Sequence, residues 1–444
     1  MTSQTAQSLP GPVPKRQTAP VIFRALRHRN YRLWFIGQGI SLIGTWMQTM
    51  AQQVLVYRLT GSATSLGVIS VIGLIPLIPL SLWGGSISDR IPRRNVILVT
   101  QILMLIQAFI LSALTWTEKV QIWHVYVMAF FLGAAQAVDM PARQAFTVDM
   151  VEGKEDLTNA IGLNSAMFNG ARAIGPALAG LVVAATGESI AFFVNGLSFV
   201  AVIISLLLMR NLPGARLPPG AGVSTVSHMA EGFRYIIKKQ VILVLTSLVA
   251  LSAFLSMPYS TLMPVFAQVV LKNSAQSFVG LICGGDQPLI HCQTPEALPL
   301  GMLLTMVGIG AMIGALLVAS LPQTARRGLY LTAGNLVFPL VLLFFSASRS
   351  FLLSLCLMLV TGISFVMQNA LANTMIQLIS PDEMRGRIMS FYTLTFQGMM
   401  RLGGLQAGLM SDWLGAPLTV SLGAGISLLY GLFVAFRYPV IRKM

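Results

Sequence analysis

Charged residues are scarce in this chain of 444 residues, and acidic residues are the scarcest of them. Only 10% of the residues are charged, against about a quarter in an ordinary soluble domain. The 14 Asp and Glu and the 4 His residues are scattered, so no acid–base pair or metal-ligand cluster stands out as a catalytic site. The ATP-binding pattern Gly-x-x-x-x-Gly-Lys-Ser/Thr is also missing. These absences argue against an enzyme, a bound cofactor, a metal site and an ATP-driven pump.

Long apolar runs dominate instead, because 55% of the residues are hydrophobic. Runs of about 20 residues recur, each long enough to cross a hydrocarbon core of about 30 Å as a helix. They are continuous rather than alternating, which favours helices over barrel strands. The sequence therefore predicts an all-α membrane protein with twelve transmembrane helices. The predicted spans cover residues 31–57, 65–87, 94–116, 122–144, 157–185, 189–210, 241–270, 298–321, 328–348, 350–378, 385–412 and 416–437.

The formal charge of +15 is distributed unevenly. If twelve spans alternate across the membrane, 23 of the 29 Lys and Arg residues fall on the side of the termini and 4 on the other side. Cytoplasmic loops carry such an excess, so we expect a multi-pass protein with cytoplasmic N- and C-termini. The first 30 residues lack the apolar core of a cleavable signal and are interpreted as a cytoplasmic tail. No nucleic acid is needed to explain the charge.

A polar segment at residues 211–240 divides the spans into two sets of six. Its second part mixes apolar and charged residues and predicts a short amphipathic helix at the inner surface. Residues 133–187 can be laid over residues 362–415 with an offset of about 228 positions and short gaps, which pairs Arg172 with Arg401. We therefore predict a tail at 1–30, a six-helix bundle at 31–210, a linker at 211–240, a second bundle at 241–437 and a tail at 438–444.

The loop after the second span carries the most specific motif. Residues 84–94 read Gly-Gly-Ser-Ile-Ser-Asp-Arg-Ile-Pro-Arg-Arg. This resembles the signature loop of the major facilitator superfamily, with Pro92 at the usual second glycine. The resemblance implies two six-helix pseudo-repeats with a substrate site between them at mid-membrane. It also implies a gate, made by Asp89, Arg90 and Arg93, with Arg143 and Arg385 as candidate partners of Asp89.

The fifth span is rich in small residues. They are Gly162, Ala171, Gly175, Pro176, Ala179 and Gly180. This spacing resembles the antiporter motif of drug exporters, although alanine replaces glycine at 171 and 179. The resemblance implies that Gly175 and Pro176 take part in gating. Generic packing of small residues against a neighbouring helix is the alternative.

Residues 139–146, together with residues 44–48 and 172–176, resemble the exporter branch that includes the enterobactin exporter and related drug and macrolide efflux proteins. The resemblance covers nearly the whole chain. It implies a transporter of the bacterial inner membrane that exports a siderophore or drug-like amphipathic compound, with the proton as coupling ion. The sequence gives no sign of oligomeric state, and we take a monomer as the default expectation. A carrier of lysophospholipid or another metabolite, or a sensor that binds without transporting, remains open.

Three ionisable residues fall within or beside the spans, where charge is costly. Asp139 lies four residues before Arg143 on the same helical face, so it forms a structural ion pair or carries the coupling proton. Arg172 and Arg401 occupy matching repeat positions. Each anchors an anionic substrate or ties its helix to a neighbour.

Polar and aromatic residues on the same spans are candidates for the cavity lining, although each alone is more often a link between helices. With Arg172 and Arg401, the substrate-binding candidates are Gln38, Trp46, Gln48, Gln52, Asn164, Asn169, Tyr259, Gln368, Asn369, Asn373, Tyr392 and Gln397.

The predicted outer loop after the seventh span contains two of the three cysteines, Cys283 and Cys292. On an oxidising side of the membrane they can form a disulfide. A metal site that also uses Asp286 and His291 is the weaker alternative.

Overall fold

The structure is a computed structural model, and it describes residues 21–77, 79–80, 91–213, 225–284, 288–322 and 324–444. The loop residues Asp89 and Arg90, which the sequence assigns to a gate, lie outside these described residues, as does Asp286. Within the described residues the chain is helical and contains no strand.

The first half of the chain forms a helical bundle. A short 3₁₀ segment, Val21–Arg27, precedes it and contacts the start of the fifth helix, where Arg24 binds the buried Asp156 at 2.7 Å. Part of the predicted tail thus packs against the bundle. The helices are α1 (Arg29–Thr60), α2 (Ala63–Ile72), α3 (Arg93–Trp116), α4 (Ile122–Met150), α5 (Lys154–Thr186) and α6 (Glu188–Leu208).

The second half repeats this layout after an amphipathic helix, α7 (Thr225–Lys238). Its seventh span is built from α8 (Gln240–Leu251) and α9 (Tyr259–Val265), joined and followed by π-helical segments at Ser252–Ser256 and Phe266–Val270. The remaining helices are α10 (Lys272–Cys283), α11 (Ala297–Ala319), α12 (Arg327–Ala347), α13 (Phe351–Ile379), α14 (Asp382–Leu414), α15 (Ala416–Arg437) and α16 (Pro439–Lys443).

Nine helices of the described part are long and apolar enough to cross a membrane. The helices α1 and α14 are more polar but contain 32 and 33 residues, or about 50 Å at 1.5 Å per residue, so each also exceeds the hydrocarbon thickness. The second predicted span is described only as far as residue 80. The total of twelve spans stays a prediction.

Small residues set the packing inside each half. In the first half, a β-carbon at Gly44 of α1 would lie 2.4 Å from the Ser198 hydroxyl of α6. In the second half, a β-carbon at Gly310 of α11 would lie 2.0 Å from the Leu359 carbonyl of α13. Membrane helices associate through such close backbone approaches because lipid offers no hydrophobic drive for association.

The bundle has two distinct ends. We call the end at which α1 begins and α15 ends the terminal end, and the end at which α1 meets α2 the opposite end. The amphipathic helix α7 lies at the terminal end, where Glu231 pairs with Arg387 of α14. The loop that contains Cys283 and Cys292 lies at the opposite end.

Candidate transport pathway and its gate

The two halves touch closely toward the opposite end, along α5 and α11. A β-carbon at Gly301 of α11 would lie 2.8 Å from the Cα of Gly180 and 2.8 Å from the carbonyl oxygen of Pro176. Two helical turns further along α11, a β-carbon at Gly308 would lie 2.5 Å from the Cα of Ala173. The antiporter-like face of α5 therefore supplies backbone contact between the halves.

A second helix pair, α2 and α14, closes the other side of the same end. A β-carbon at Gly67 would lie 2.5 Å from the carbonyl oxygen of Gly404, and one at Gly408 would lie 2.5 Å from that of Ala63. Larger side chains at these glycines would force the helices apart. The closed end is thus made of four helices, two from each half.

Asp412, at the end of α14, adds a polar latch between the halves. Its carboxylate accepts hydrogen bonds from the Ser62 hydroxyl at 2.7 Å, the Ala63 amide at 2.8 Å and the Thr64 amide at 3.0 Å. These groups belong to the first turn of α2, whose free N–H groups and dipole favour a negative charge. Asp412 therefore caps a helix of the other half.

The repeat-equivalent position on α5 carries a related contact. The offset of 228 residues pairs Asp412 with Ala184, and the Ala184 carbonyl accepts hydrogen bonds from the Gln293 amide at 2.7 Å and the Thr294 amide at 3.0 Å. Cys283 and Cys292 form a disulfide immediately before these two residues. Both latches thus join the last turn of one long helix to the start of a helix in the other half.

The terminal end differs from the opposite end in how closely the halves approach each other. Gly162 and Gly170 of α5, and Gly386 and Gly398 of α14, have open space where a β-carbon would be. Hydrogen bonds between described residues of the two halves lie from the mid-bundle to the opposite end: those of Ala184 and Asp412, and one from Arg401 to the Ser70 carbonyl at 3.3 Å. The halves are therefore joined at the opposite end and separate toward the terminal end.

Three of the basic residues predicted to gate the terminal end, Arg93, Arg143 and Arg385, bind acids of their own half. Arg93 of α3 binds Asp149 of α4 at 2.9 Å. Arg143 binds Asp139 one turn earlier on α4. Arg385 pairs with Asp382 at 2.6 Å and also donates to the Gln377 carbonyl at 3.1 Å. A contact of these arginines with Asp89 stays a prediction.

A cavity of about 450 Å³ opens between α1, α3, α4, α5 and α6 of the first half. Its wall combines apolar and polar side chains and includes the Asp139 and Arg143 pair. Among the predicted candidates it contains Gln38 and Asn164. The other lining residues include Trp34, Thr45, Met104, Gln136, Met140, Gln144, Met167 and Phe168.

Asp139 is 5% exposed and lies at the wall of this cavity. Its carboxylate accepts from Thr100 at 2.7 Å, Gln101 at 3.2 Å and the Arg143 Nε at 2.8 Å. The Arg143 guanidinium also lies 5.5 Å from the centre of the Trp34 ring. The geometry matches the predicted ion pair, and the cavity gives the carboxylate contact with the space that a cargo or a proton would enter.

Arg172, near the middle of α5, is surrounded by aromatic rings from both halves. Its guanidinium carbon lies 5.9 Å from the centre of the Trp46 ring of α1 and 5.6 Å from that of Phe365 of α13. Cation–π contacts of this kind stabilise a guanidinium without neutralising it.

Arg401, at the equivalent position of α14, reaches toward α2. It lines a second cavity, of about 210 Å³, with Gln52, Gln53, Gln136 and Thr261 among its walls. One of its terminal nitrogens donates to the Ser70 carbonyl, whereas its Nε has no partner among the described residues. Gln136 lines both cavities, so the two spaces adjoin at α4.

Several predicted lining residues instead link helices within one half. The Gln48 side chain is buried between Gln107 at 3.0 Å and Asn195 at 2.6 Å, so it faces the interior of the first half rather than either cavity. Gln368 is likewise buried against Asn335 at 2.9 Å. Asn369 of α13 is linked to Tyr392 of α14. The bonds of Asn373 with Gln377 and of Asn169 with the Ser165 carbonyl each lie within one helix.

Sequence reasoning missed two features of this pathway. Gln136, which lines both cavities, stands alone between apolar residues in the sequence and resembles an ordinary packing residue. Asp412 is the acid at the end of a span, three residues before Gly415, and its partner lies 350 positions away. The internal repeat could have drawn attention to it, because the same alignment pairs Gly415 with Gly187.

Three comparisons with known proteins agree with this architecture. The sequence profile of the transmembrane secretion effector family matches residues 21–286 and 288–443. The staphyloferrin A transporter of Staphylococcus aureus is 23% identical over 399 residues, covering 89% of this chain and 93% of that protein. The enterobactin exporter EntS of Escherichia coli is 24% identical over 388 residues, covering 86% of each.

Solved structures show the same fold at low identity. The nucleoside transporter NupG superimposes with a TM-score of 0.67 at 13% identity, covering 96% of this chain and all of that one. A bacterial homologue of the human lysosomal transporter Spinster, in an inward-facing and unoccupied conformation, gives 0.64 at 13% identity, covering 96% and 98%. With this fold and a family match along nearly its whole length, the chain belongs to the transmembrane secretion effector family of the major facilitator superfamily and is a secondary transmembrane transporter.

Proposed function

We propose that this transporter exports a small amphipathic compound, of the siderophore or drug-like class, by alternating access. One observation carries the proposal: the halves meet through four helices and two latches at the opposite end, while the larger cavity lies toward the terminal end, where the halves separate. That arrangement is expected of a carrier that loads from one side. The names of its relatives, a staphyloferrin A transporter and an enterobactin exporter, favour a siderophore as cargo.

The direction of transport follows from the orientation that we propose. The start of the described chain at Val21 and its C-terminal residues lie at the terminal end, to which the sequence also assigns the basic loops, so by the positive-inside rule we assign that end to the cytoplasm of a bacterial inner membrane. The structure then corresponds to an inward-facing state that accepts cargo from inside. Release requires the opposite end to open and the terminal end to close. Asp89, with Arg90 and Arg93, is our candidate for a latch that forms in that second state.

Proton influx is our proposed energy source, with Asp139 as the carrier. Its carboxylate is buried, borders the larger cavity and is paired with Arg143, so taking up a proton would weaken that ion pair. Ionisable groups of this kind inside membrane helices form proton relays in pumps and transporters. In this scheme the protein acts as a monomer, because both halves of the bundle belong to one chain.

Reconstitution tests the proposal directly. The purified chain would be placed in liposomes, and the movement of a catecholate siderophore, a carboxylate siderophore, a macrolide and a lysophospholipid would be followed with and without an imposed pH gradient. We expect gradient-driven movement of a siderophore that stops when a protonophore is added, and none in protein-free liposomes. Movement that ignored the gradient would refute proton coupling. Binding without movement would indicate a sensor.

A further inference from the structure

Arg172 and Arg401 share an unusual electrostatic situation. Both lie near the middle of helices of 33 residues, at equivalent positions of the repeat. Neither forms an ion pair with an acid in the described part of the chain, in contrast to Arg93, Arg143 and Arg385. A cation at this depth is costly unless it is compensated.

Each arginine is contacted from the other half of the bundle. Arg172 belongs to the first half, and Phe365 beside it belongs to the second. Arg401 belongs to the second half, and its only hydrogen-bond acceptor among the described residues is the Ser70 carbonyl of the first. Relative motion of the halves therefore changes the surroundings of both cations. An anion bound at either arginine would therefore lie beside residues of both halves.

Both guanidiniums keep hydrogen-bonding capacity for a ligand. A guanidinium has five N–H donors in a planar fork that matches a carboxylate. Arg172 makes ring contacts but donates to no acceptor within the described residues. Arg401 uses one terminal nitrogen, leaves its Nε unpartnered and faces a cavity with amide side chains. The two surroundings differ, since one is aromatic and the other is polar.

We infer that Arg172 and Arg401 are two anion-binding subsites, so the cargo is an organic polyanion with an apolar or aromatic part beside one of its charges. The aromatic part belongs with Arg172, where Trp46 and Phe365 offer ring faces. The more polar anionic group belongs with Arg401, among Gln52, Gln53 and Gln136. This inference rests on the proposed export function and names the chemical class of its cargo.

Ligand-induced stabilisation of the full chain tests the inference without knowing the natural cargo. The chain would be placed in nanodiscs of phosphatidylcholine, which carry no net anionic headgroup, and its thermal unfolding followed with a matched series of probes. The series is citrate, a phenyl-substituted dicarboxylate, benzoate, and the methyl esters of all three. We expect the dicarboxylate and citrate to stabilise the chain and the uncharged esters not to. Benzoate should bind more weakly.

Variants assign the effect to the two arginines. In Arg172→Gln and Arg401→Gln we expect apparent dicarboxylate affinity to fall about tenfold to a hundredfold, as for lost hydrogen bonds to a charged group. The charge-retaining Arg172→Lys and Arg401→Lys should keep an intermediate affinity and serve if the glutamine variants fail to fold. Arg234→Gln, which removes an exposed charge from α7, is the matched control and should bind normally.

The outcomes separate this inference from the export function. Equal stabilisation by acids and esters, no stabilisation by any acid, or unchanged affinity in both glutamine variants would overturn the polyanion subsites. Failure of transport in liposomes, with arginine-dependent binding intact, would overturn export and leave the subsites standing. Repeating the titration with phosphatidylglycerol in the nanodiscs identifies the source of the ligand. If this lipid competes with the acids, and citrate has no effect when the lipid is absent, the sites bind lipid headgroups and the proposal of a soluble cargo is rejected.

Discussion

Asp412 offers a sharp test of how the opposite end is held closed. Its two carboxylate oxygens accept three hydrogen bonds. One oxygen accepts from the Ala63 amide, and the other accepts from the Ser62 hydroxyl and the Thr64 amide. In Asp412→Asn one oxygen becomes an NH₂ group, which faces a donor and cannot accept from it. The substitution also removes a negative charge from the start of α2.

The expected cost is modest but measurable. Loss of a helix-capping interaction costs about 1 kcal/mol, and loss of the charge at a helix N-terminus about 0.3–1 kcal/mol. Because Asp412 is partly exposed to solvent, we take the lower part of the combined range, about 1–1.5 kcal/mol. That free energy raises the population open at the opposite end by about tenfold.

Thiol labelling can report this population. Ser70→Cys places a nearly isosteric thiol on α2, below the latch and beside Gly404, in a background where the free Cys356 is replaced by serine. A membrane-impermeant reagent confined to the opposite side should label it about tenfold faster when Asp412→Asn is added, provided that opening limits the reaction. Glu383→Gln, which removes a negative charge from the first turn of the same helix at its other end, should leave the rate unchanged. Equal rates in all three proteins would refute the latch.

Three further predictions follow from other contacts. Gly301→Val should prevent the close approach of α11 to Gly180 of α5, so we expect transport in liposomes to be lost. The variant should still insert and show a folded circular dichroism spectrum. Normal transport would contradict the need for a glycine at this position. Asp139→Asn should leave the partly buried Arg143 without its counter-ion, lower stability by about 1–3 kcal/mol in thermal unfolding and abolish gradient-driven but not exchange transport. Replacing Cys283 and Cys292 by serine should free the segment before α11 and speed its cleavage by protease. Closing a loop of 9 positions with a disulfide contributes about 2–3 kcal/mol to stability. An unchanged cleavage rate would contradict this prediction.

The helical layout was predictable because it depends on local composition. Predicted span bounds such as 94–116 and 416–437 lie close to α3 and α15, since apolar length alone fixes a membrane helix. The largest differences occur where polar residues continue a helix beyond the membrane. Examples are the last turns of α4, which end at Met150, and the first turn of α14, which begins at Asp382.

The site was less predictable because a polar residue in a membrane helix has two uses that look alike in sequence. Gln48 and Gln52 lie one turn apart on α1, yet Gln48 is bound between two helices of its half and Gln52 lines the Arg401 cavity. Periodicity places both on one face and cannot say which neighbour that face meets. The positions of Arg172 and Arg401 could be predicted from the repeat, but the rings around Arg172 could not.

The repeat also explains why the opposite end is closed by two latches that are similar in place but different in chemistry. Asp412 uses a carboxylate, whereas its equivalent, Ala184, uses only its backbone carbonyl and relies on the segment after the disulfide to supply the donors. A charged latch weakens with ionic strength and with protonation, and a backbone latch does not. Opening can therefore begin at the α2 and α14 pair, next to Arg401, while α5 and α11 stay in contact. Cargo bound at Arg401 is then the first to meet the opening path.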